Sequence, residues 1–443
     1  MKKNVALLFA LSLFFASCTR RPDAGVGQTE ITKWPGNRQA GISITYDDGT
    51  INQFTVARPI MNELGLPGTF YIITGKVPGS GKGQFLGRPT QEIVDETASL
   101  PTQSDNFFER ASLIAYTGIP GAEAFHARAG SLFESGRYAE AYQLMDQAFE
   151  LVRKGETISG PEYAEHVNPE DTTTWEDYRT YAAEGHEIAS HTVTHARLAV
   201  LDEPNLRYEL EQSKADIRKY LGEKYTFSAE CPYGTENERV MDYAHEVYPS
   251  LRNRMPEPYL DELNRASKRN PGETDREYVQ WQRGPLTNIG MDMMKTWVDT
   301  CLVHDNVWLV LVFHGVEGIG WEPRTGPELR EYFTYIKERE SRLWVATFAD
   351  VTRYIRQRKG AVVTSTREGD DIHVTITQTL DTAIYNLPLT AKTYVPADWT
   401  SVILRIGPDG TDLQTLPVQQ DANGSYVLYD ITAGQGSRVL RAG

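Results

Sequence analysis

The sequence predicts an α/β chain: a distorted parallel (β/α) barrel with a helical insertion, followed by a small all-β domain. Three observations lead there. From Ala40 to Lys359, short apolar runs alternate with helical stretches, the pattern of repeated strand-helix units. Between about Lys76 and Asp171 that rhythm gives way to a Gly-rich loop and two helical patterns. After Gly360 the period becomes two, with Gly, Pro and Asp between short runs, as in a sandwich.

Taken in order, Ala40 to Tyr46 reads as the first strand, Thr55 to Leu64 as a short helix ended by Gly65 and Pro67, and Gly68 to Thr74 as a second strand. Within the insertion, helices are expected near Ala122–Phe133 and Tyr138–Val152. Gly136, Tyr138, Ala141 and Ala148 resemble one tetratricopeptide unit, but stacked repeats need about three units to bury a core, so a helical hairpin is the expectation. Helices follow at Trp175–Glu184, Glu203–Leu221 (capped by Asp202), Asn237–Val247, Met291–Val303, Pro327–Glu340 and Phe348–Lys359. Strands are expected at His186–Ser190, Thr226–Ala229, Ser250–Asn253, Val307–Phe313 and Leu343–Ala346. Pro256 to Gly272 is charged and reads as loop or helix. The β-domain, 360–443, has its strands near Asp371–Thr377, Ala391–Val395, Ser401–Ile406 and Ser425–Asp430. Its Tyr394, Trp399, Tyr426 and Tyr429 suit a core or a binding platform equally.

The chain has 443 residues and a formal charge of -15, which speaks against a nucleic-acid surface. Lys2 and Lys3 precede an apolar run, Val5 to Phe15, of about eleven residues, too short to span a membrane and right for an export signal. Phe15-Ala16-Ser17-Cys18 resembles a lipoprotein cleavage box, with Phe15 where Leu is usual. The expectation is a signal peptide over 1–18, lipidation at Cys18, a tether over 19–37, and a protein anchored to the membrane in the bacterial cell envelope; plain secretion with cleavage nearby is the alternative. Cys231 and Cys301 are too few for a disulfide framework.

The chemistry gathers around Tyr46-Asp47-Asp48-Gly49. Two adjacent acids ending a buried strand repel each other, and a cation beside them relieves that repulsion. Asp-Asp-Gly is also a turn sequence, so the pair alone leaves both readings open. Other polar clusters close other strands: Ser190-His191-Thr192-Val193-Thr194-His195, Cys231-Pro232-Tyr233-Gly234 and Phe313-His314-Gly315. In a parallel barrel the active site lies at those strand ends. His191 and His195, four apart, share one face if their turn is helical, and with one carboxylate they make a three-ligand site for a divalent ion. Water on such an ion is acidified into a nucleophile, and the reaction then needs a base and an acid.

Thr45-Tyr46-Asp47-Asp48-Gly49 resembles the Thr-Phe-Asp-Asp-Gly motif of NodB-type polysaccharide deacetylases, carbohydrate esterase family 4. His191-Thr-Val-Thr-His195 is similar to that family's second motif, Pro232-Tyr233-Gly234 to its third and His314 to its last; the resemblance spans Ala40 to Arg358 apart from the insertion. It implies a barrel of the deacetylase type over 38–359 (insertion about 76–171) and metal-dependent removal of acetyl groups from an acetylated glycan. On that basis Asp48, His191 and His195 would hold the metal, usually Zn2+, with Asp47 as general base and His314 as general acid. The Tyr233 backbone N–H would stabilise the oxyanion, and Trp321 would either stack on a sugar or pack over the barrel mouth.

The chain departs from the family in two places. Glu230, followed by Cys231, stands where the family has the Arg that orients its catalytic Asp. Arg252 or Arg254, after the next strand, is the expected replacement. The family's Asp-Trp motif has no clear match; Asp292 and Trp297 are candidates. Two rival functions share these residues: a metal hydrolase of another amide or ester bond, and a non-catalytic glycan-binding surface lipoprotein.

Overall fold

The computed structural model describes residues 25–443 apart from 120, 156–172, 236, 407–411, 433 and 435–436. Two compact units emerge. One comprises Lys33–Gly360 with Thr379–Leu387; the other comprises the described residues 25–32 with Ala361–Gln378 and Pro388–Gly443. The expected signal peptide over 1–18, with Cys18, lies outside the described residues.

The larger unit is built on a nine-stranded, all-parallel sheet. Across the sheet the strands run Ser250–Leu251, Ser228–Ala229, Glu187–Ser190, Thr69–Ile72, Ala40–Tyr46, Val307–Phe313, Tyr278–Arg283 and Leu260–Leu263, with Leu343–Val345 also pairing onto Ala40–Tyr46. Its two edges are not paired to each other, yet Gln282 Nε2 donates to the Arg252 carbonyl at 2.8 Å, from near one edge to just past the strand at the other. The sheet is therefore a curled half-barrel. Ala40–Tyr46 and Val307–Phe313 lie at its centre in register Gly41↔Trp308 to Tyr46↔Phe313 and are buried throughout, as two-sided parallel strands must be.

Two strands escape the sequence expectation. Leu260–Leu263 forms where a loop or helix was expected, and Tyr278–Arg283 was not anticipated. Both carry polar residues that packing turns inward: Glu262 accepts from the Met255 N–H, and Gln280 and Gln282 are buried. The insertion also exceeds a hairpin. Besides Ala122–Glu134 and Tyr138–Lys154 it contains Thr90–Glu96 and Phe107–Ala115, and Ile93, Phe107, Ile114, Phe125, Met145 and Phe149 close a separate core.

His126 sits inside this insertion with a structural task. Its Nδ1 donates to the Ala111 carbonyl and its Nε2 accepts from the Arg197 N–H, so the ring is the neutral tautomer. Burial, the largest influence, pushes its pKa down to about 4. A depressed folded-state value means that the unfolded chain binds the proton first. This contribution to stability is whole above about pH 6.5 and lost as pH falls toward 4, on the order of 3 kcal/mol. Urea denaturation of wild type and His126→Gln across that window is expected to show a shallower pH slope in the variant.

The smaller unit holds two antiparallel sheets. Thr29–Ile31, Leu389–Tyr394, Gly424–Ile431 and Gln419–Asp421 form one; Val362–Glu368, Asp371–Thr377, Arg438–Ala442, Ser401–Ile406 and Asp412–Pro417 form the other. Part of the expected tether is thus a strand, Thr29–Ile31, paired with Ala391–Thr393. Tyr394, Tyr426 and Tyr429 are buried, while Trp399 is half-exposed. Cys231 and Cys301 are both buried and not joined in a disulfide. Among the described residues, no helix is long and apolar enough to cross a membrane.

Candidate active site

Every polar cluster named from the sequence falls at the C-terminal end of a strand of the parallel sheet, around one cavity of about 320 Å³. Asp47 and Asp48 leave Tyr46 in a sharp turn. Asp48 takes φ 75° and Gly49 φ 66°, so consecutive side chains point to different parts of the site. Left-handed non-glycine residues concentrate here: Asp48, Thr192, His195 and Tyr233 among the described ones. Gln53 ties two strand ends together, donating from Nε2 to the carbonyls of Asp47 (2.5 Å) and His314 (2.8 Å).

Asp48 faces both histidines. Its Oδ1 lies 3.6 Å from His191 Nε2 and 3.4 Å from His195 Nε2, and one ligand atom from each residue falls within 4.8 Å of the others. The turn between the histidines is not helical, because Thr192 and His195 are left-handed; an irregular loop brings the rings together. The donor set fits a divalent metal. His191 Nδ1 donates to the Glu230 carbonyl at 2.9 Å, which leaves the Nε2 lone pair toward Asp48. Burial pushes His191 down to about 4 and His195 well below the usual histidine range, so both imidazoles are neutral, the form in which a metal could be held. Burial, then the charge of Asp47, pushes Asp48 up to about 7, the state of a carboxylate that a cation would relieve.

The histidine loop is held by a residue that the sequence did not single out. Glu209, buried on the helix Glu203–Leu221, accepts from the N–H groups of Val193 (2.8 Å) and Thr194 (2.9 Å), the Thr194 hydroxyl (2.6 Å) and the Tyr116 hydroxyl of the insertion (2.8 Å). Glu209→Ala unsatisfies all four donors, and metal affinity is expected to fall about 10–100-fold, checked by competition with a chromophoric chelator.

Asp47 has the opposite environment from its neighbour. Arg252 forks onto it, Nη1 to Oδ1 at 2.7 Å and Nη2 to Oδ2 at 2.6 Å, and also reaches the Thr45 hydroxyl (2.7 Å) and Glu230 Oε1 (2.8 Å). Burial works to raise the Asp47 pKa, but the Arg252 charge and hydrogen bonds, with His314 nearby, hold it well below the usual carboxylate range. Glu230 shares the same arginine, yet burial and Asp47 push it up to about 7. Of the two arginines expected as replacements, Arg252 occupies the position, while Arg254 pairs with Glu238 at the surface.

His314 Nε2 lies 3.3 Å from Asp47 Oδ2, and burial pushes its pKa down to about 3. Its ring meets Trp321 edge to face, centroids 4.7 Å apart. Trp297 lies in the hydrophobic core and Asp292 in the first turn of its helix; among the described residues neither makes a hydrogen bond, ion pair or ring contact with His314. Tyr233 and Trp321 both line the cavity. So do two arginines that the sequence reading passed over: Arg197, whose guanidinium lies 4.6 Å from the Tyr233 ring centroid and pairs with Glu134 of the insertion, and Arg265.

Residues 132–248, which include both histidines and Pro232-Tyr233-Gly234, match the polysaccharide deacetylase family. A gellan lyase from a Bacillus species is 31% identical over 240 residues, 51% of this chain but only 10% of that protein, so the chain spans about a tenth of its relative. Among solved structures, a family 4 carbohydrate esterase from Bacillus anthracis is similar at 13% identity over 74% of this chain and 86% of that one, with a TM-score of 0.32. One from Streptomyces lividans is similar at 10% identity over 71% and 95%, with a TM-score of 0.33. The stretch that matches the polysaccharide deacetylase family thus carries the histidine and Pro-Tyr-Gly motifs found at the cavity.

Proposed function

We propose that this chain is a metal-dependent hydrolase that removes acetyl groups from a glycan. One observation carries the reading: two adjacent carboxylates meet opposite partners, Asp47 gripped at both oxygens by Arg252 and Asp48 facing the Nε2 atoms of His191 and His195 at 3.6 and 3.4 Å. A general base and a metal ligand need those two environments.

Asp48, His191 and His195 would hold the metal, most simply zinc, which supplies an acidified water and polarises the acetyl carbonyl. Asp47, ionised and oriented at both oxygens by Arg252, takes the proton of the attacking water. The half-buried His314 is neutral at rest, so the proton it gives to the leaving amine or alcohol is one it first receives, and Asp47 Oδ2 stands 3.3 Å from its Nε2. The Tyr233 peptide N–H donates to the developing oxyanion, a contribution of about 3 kcal/mol. Arg252 supplies the cation that Glu230 does not, which removes the main support for a retired, non-catalytic site.

Acetate release from chitooligosaccharides, peptidoglycan and acetylxylan tests the proposal. Metal-loaded wild type is expected to release acetate from at least one, and Asp47→Ala and His191→Ala are expected to lose it. Metal bound without release from any would assign the site to another acyl bond. At the N-terminus, we infer lipid anchoring through Cys18: Cys18→Ser is expected to move the protein from the detergent to the aqueous phase in Triton X-114 partition, and retention in the detergent phase would overturn it.

A further inference from the structure

Arg265 lies two residues beyond the strand Leu260–Leu263 and lines the catalytic cavity. The neighbouring arginines are neutralised: Arg197 by Glu134, Arg252 by Asp47 and Glu230, Arg254 by Glu238, Arg269 by Asp261. Arg265 has no ion pair or hydrogen bond among the described residues. Its recorded contact is with Trp321, guanidinium carbon to ring centroid 6.0 Å. In a chain with 60 acidic and 45 basic residues, a cation left unpaired at the site is not for want of acids. Its charge is felt at Asp48, Glu230 and His314, which line the same cavity.

Arginine's planar fork suits a carboxylate, and a flat indole beside it suits the apolar face of a sugar ring. A divalent ion at Asp48, His191 and His195 would offset the acids on the cavity floor and leave Arg265 free to meet an incoming anion. We propose that Arg265, beside Trp321, is a specificity residue that binds a carboxylate on the sugar next to the acetylated one, so that the preferred substrate is an acidic, uronate-containing glycan. The inference rests on the deacetylase reading for its substrate, but not for its test.

The test is binding, followed by stopped-flow tryptophan fluorescence before turnover. The metal-loaded full chain is mixed with a tetrasaccharide alternating N-acetylglucosamine and glucuronate, and with its carboxyl-reduced counterpart. Wild type is expected to bind the acidic form about tenfold more tightly at about 50 mM salt, with the advantage shrinking at about 500 mM. Arg265→Ala is expected to close the gap, and Arg265→Lys to keep part of it. Equal affinity in wild type, no binding of either form, or a preference undiminished in Arg265→Ala would overturn the proposal. Acetate measured in the same mixtures separates the two readings. A binding preference without release counts against deacetylation and for Arg265; release without preference does the reverse.

Discussion

Replacing Asp47 by Asn is expected to lower kcat/KM for acetate release by about 10²–10⁴-fold, the range set by loss of a positioned base. Asn keeps the shape, and Arg252 keeps its 2.8 Å pair with Glu230, so the cation stays neutralised in the buried site. The amide cannot accept at both oxygens from the Arg252 fork, so a modest loss of stability accompanies the loss of rate. Metal content is expected to stay at the wild-type level, because the proposed ligand set of Asp48, His191 and His195 does not include Asp47. Steady-state kinetics beside metal analysis check this. A variant that retains its rate would remove Asp47 from the base role, and one that loses its metal would show that the two carboxylates are not divided as described.

The second large effect belongs to Arg252→Ala. Asp47 and Glu230 are both buried, and removing the shared arginine leaves two carboxylates facing each other in the core. Breaking a buried ion pair from one side costs about 3–5 kcal/mol. Without Arg252 both carboxyl groups have folded-state values above their unfolded ones, so the folded state takes up protons and the penalty eases as pH falls. In wild type the depressed Asp47 works the other way: its stabilisation is present above the ordinary aspartate value and lost as pH drops below it. The deficit of the variant is therefore expected to be largest near pH 8 and smaller near pH 5, by urea denaturation at both. Glu230→Gln in the Arg252→Ala background is expected to restore part of the stability, since one of the two opposed charges is gone. A deficit independent of pH would mean that packing, including the contact of Arg252 with the Tyr71 ring at 4.9 Å, dominates.

The legible part of this site was the local part. Asp47, Asp48, His191, His195, Tyr233 and His314 each end or follow a short apolar strand, and strand ends of a parallel sheet converge whatever the loops do. Arg252 and Arg254 were not separable from sequence: the strand ends at Leu251, so alternation no longer governs which of them turns inward. Glu209, Gln53 and Arg265 left no local signal. Glu209 sits on a helix face like any other acid, and its role exists only because the histidine loop folds back onto it. Leu260–Leu263 and Tyr278–Arg283 were hidden for a related reason. Inside the half-barrel the wall near the chemistry is polar, so inward-facing Gln280 and Gln282 break the apolar run by which a buried parallel strand is recognised.

The strand Thr29–Ile31 has a consequence for the order of folding. Among the described residues it pairs only with Leu389–Tyr394, more than three hundred residues later in the chain, so during synthesis it waits while the whole parallel-sheet unit emerges. Contacts of that separation form late, and the parallel-sheet unit has its own core with which to fold first. A truncation at Gly360 that keeps the N-terminal segment would leave Thr29–Ile31 as a permanently unmatched edge, open to pairing with other chains. Starting the isolated catalytic unit at Lys33 and grafting Thr379–Leu387 back onto it respects the way the polypeptide is divided.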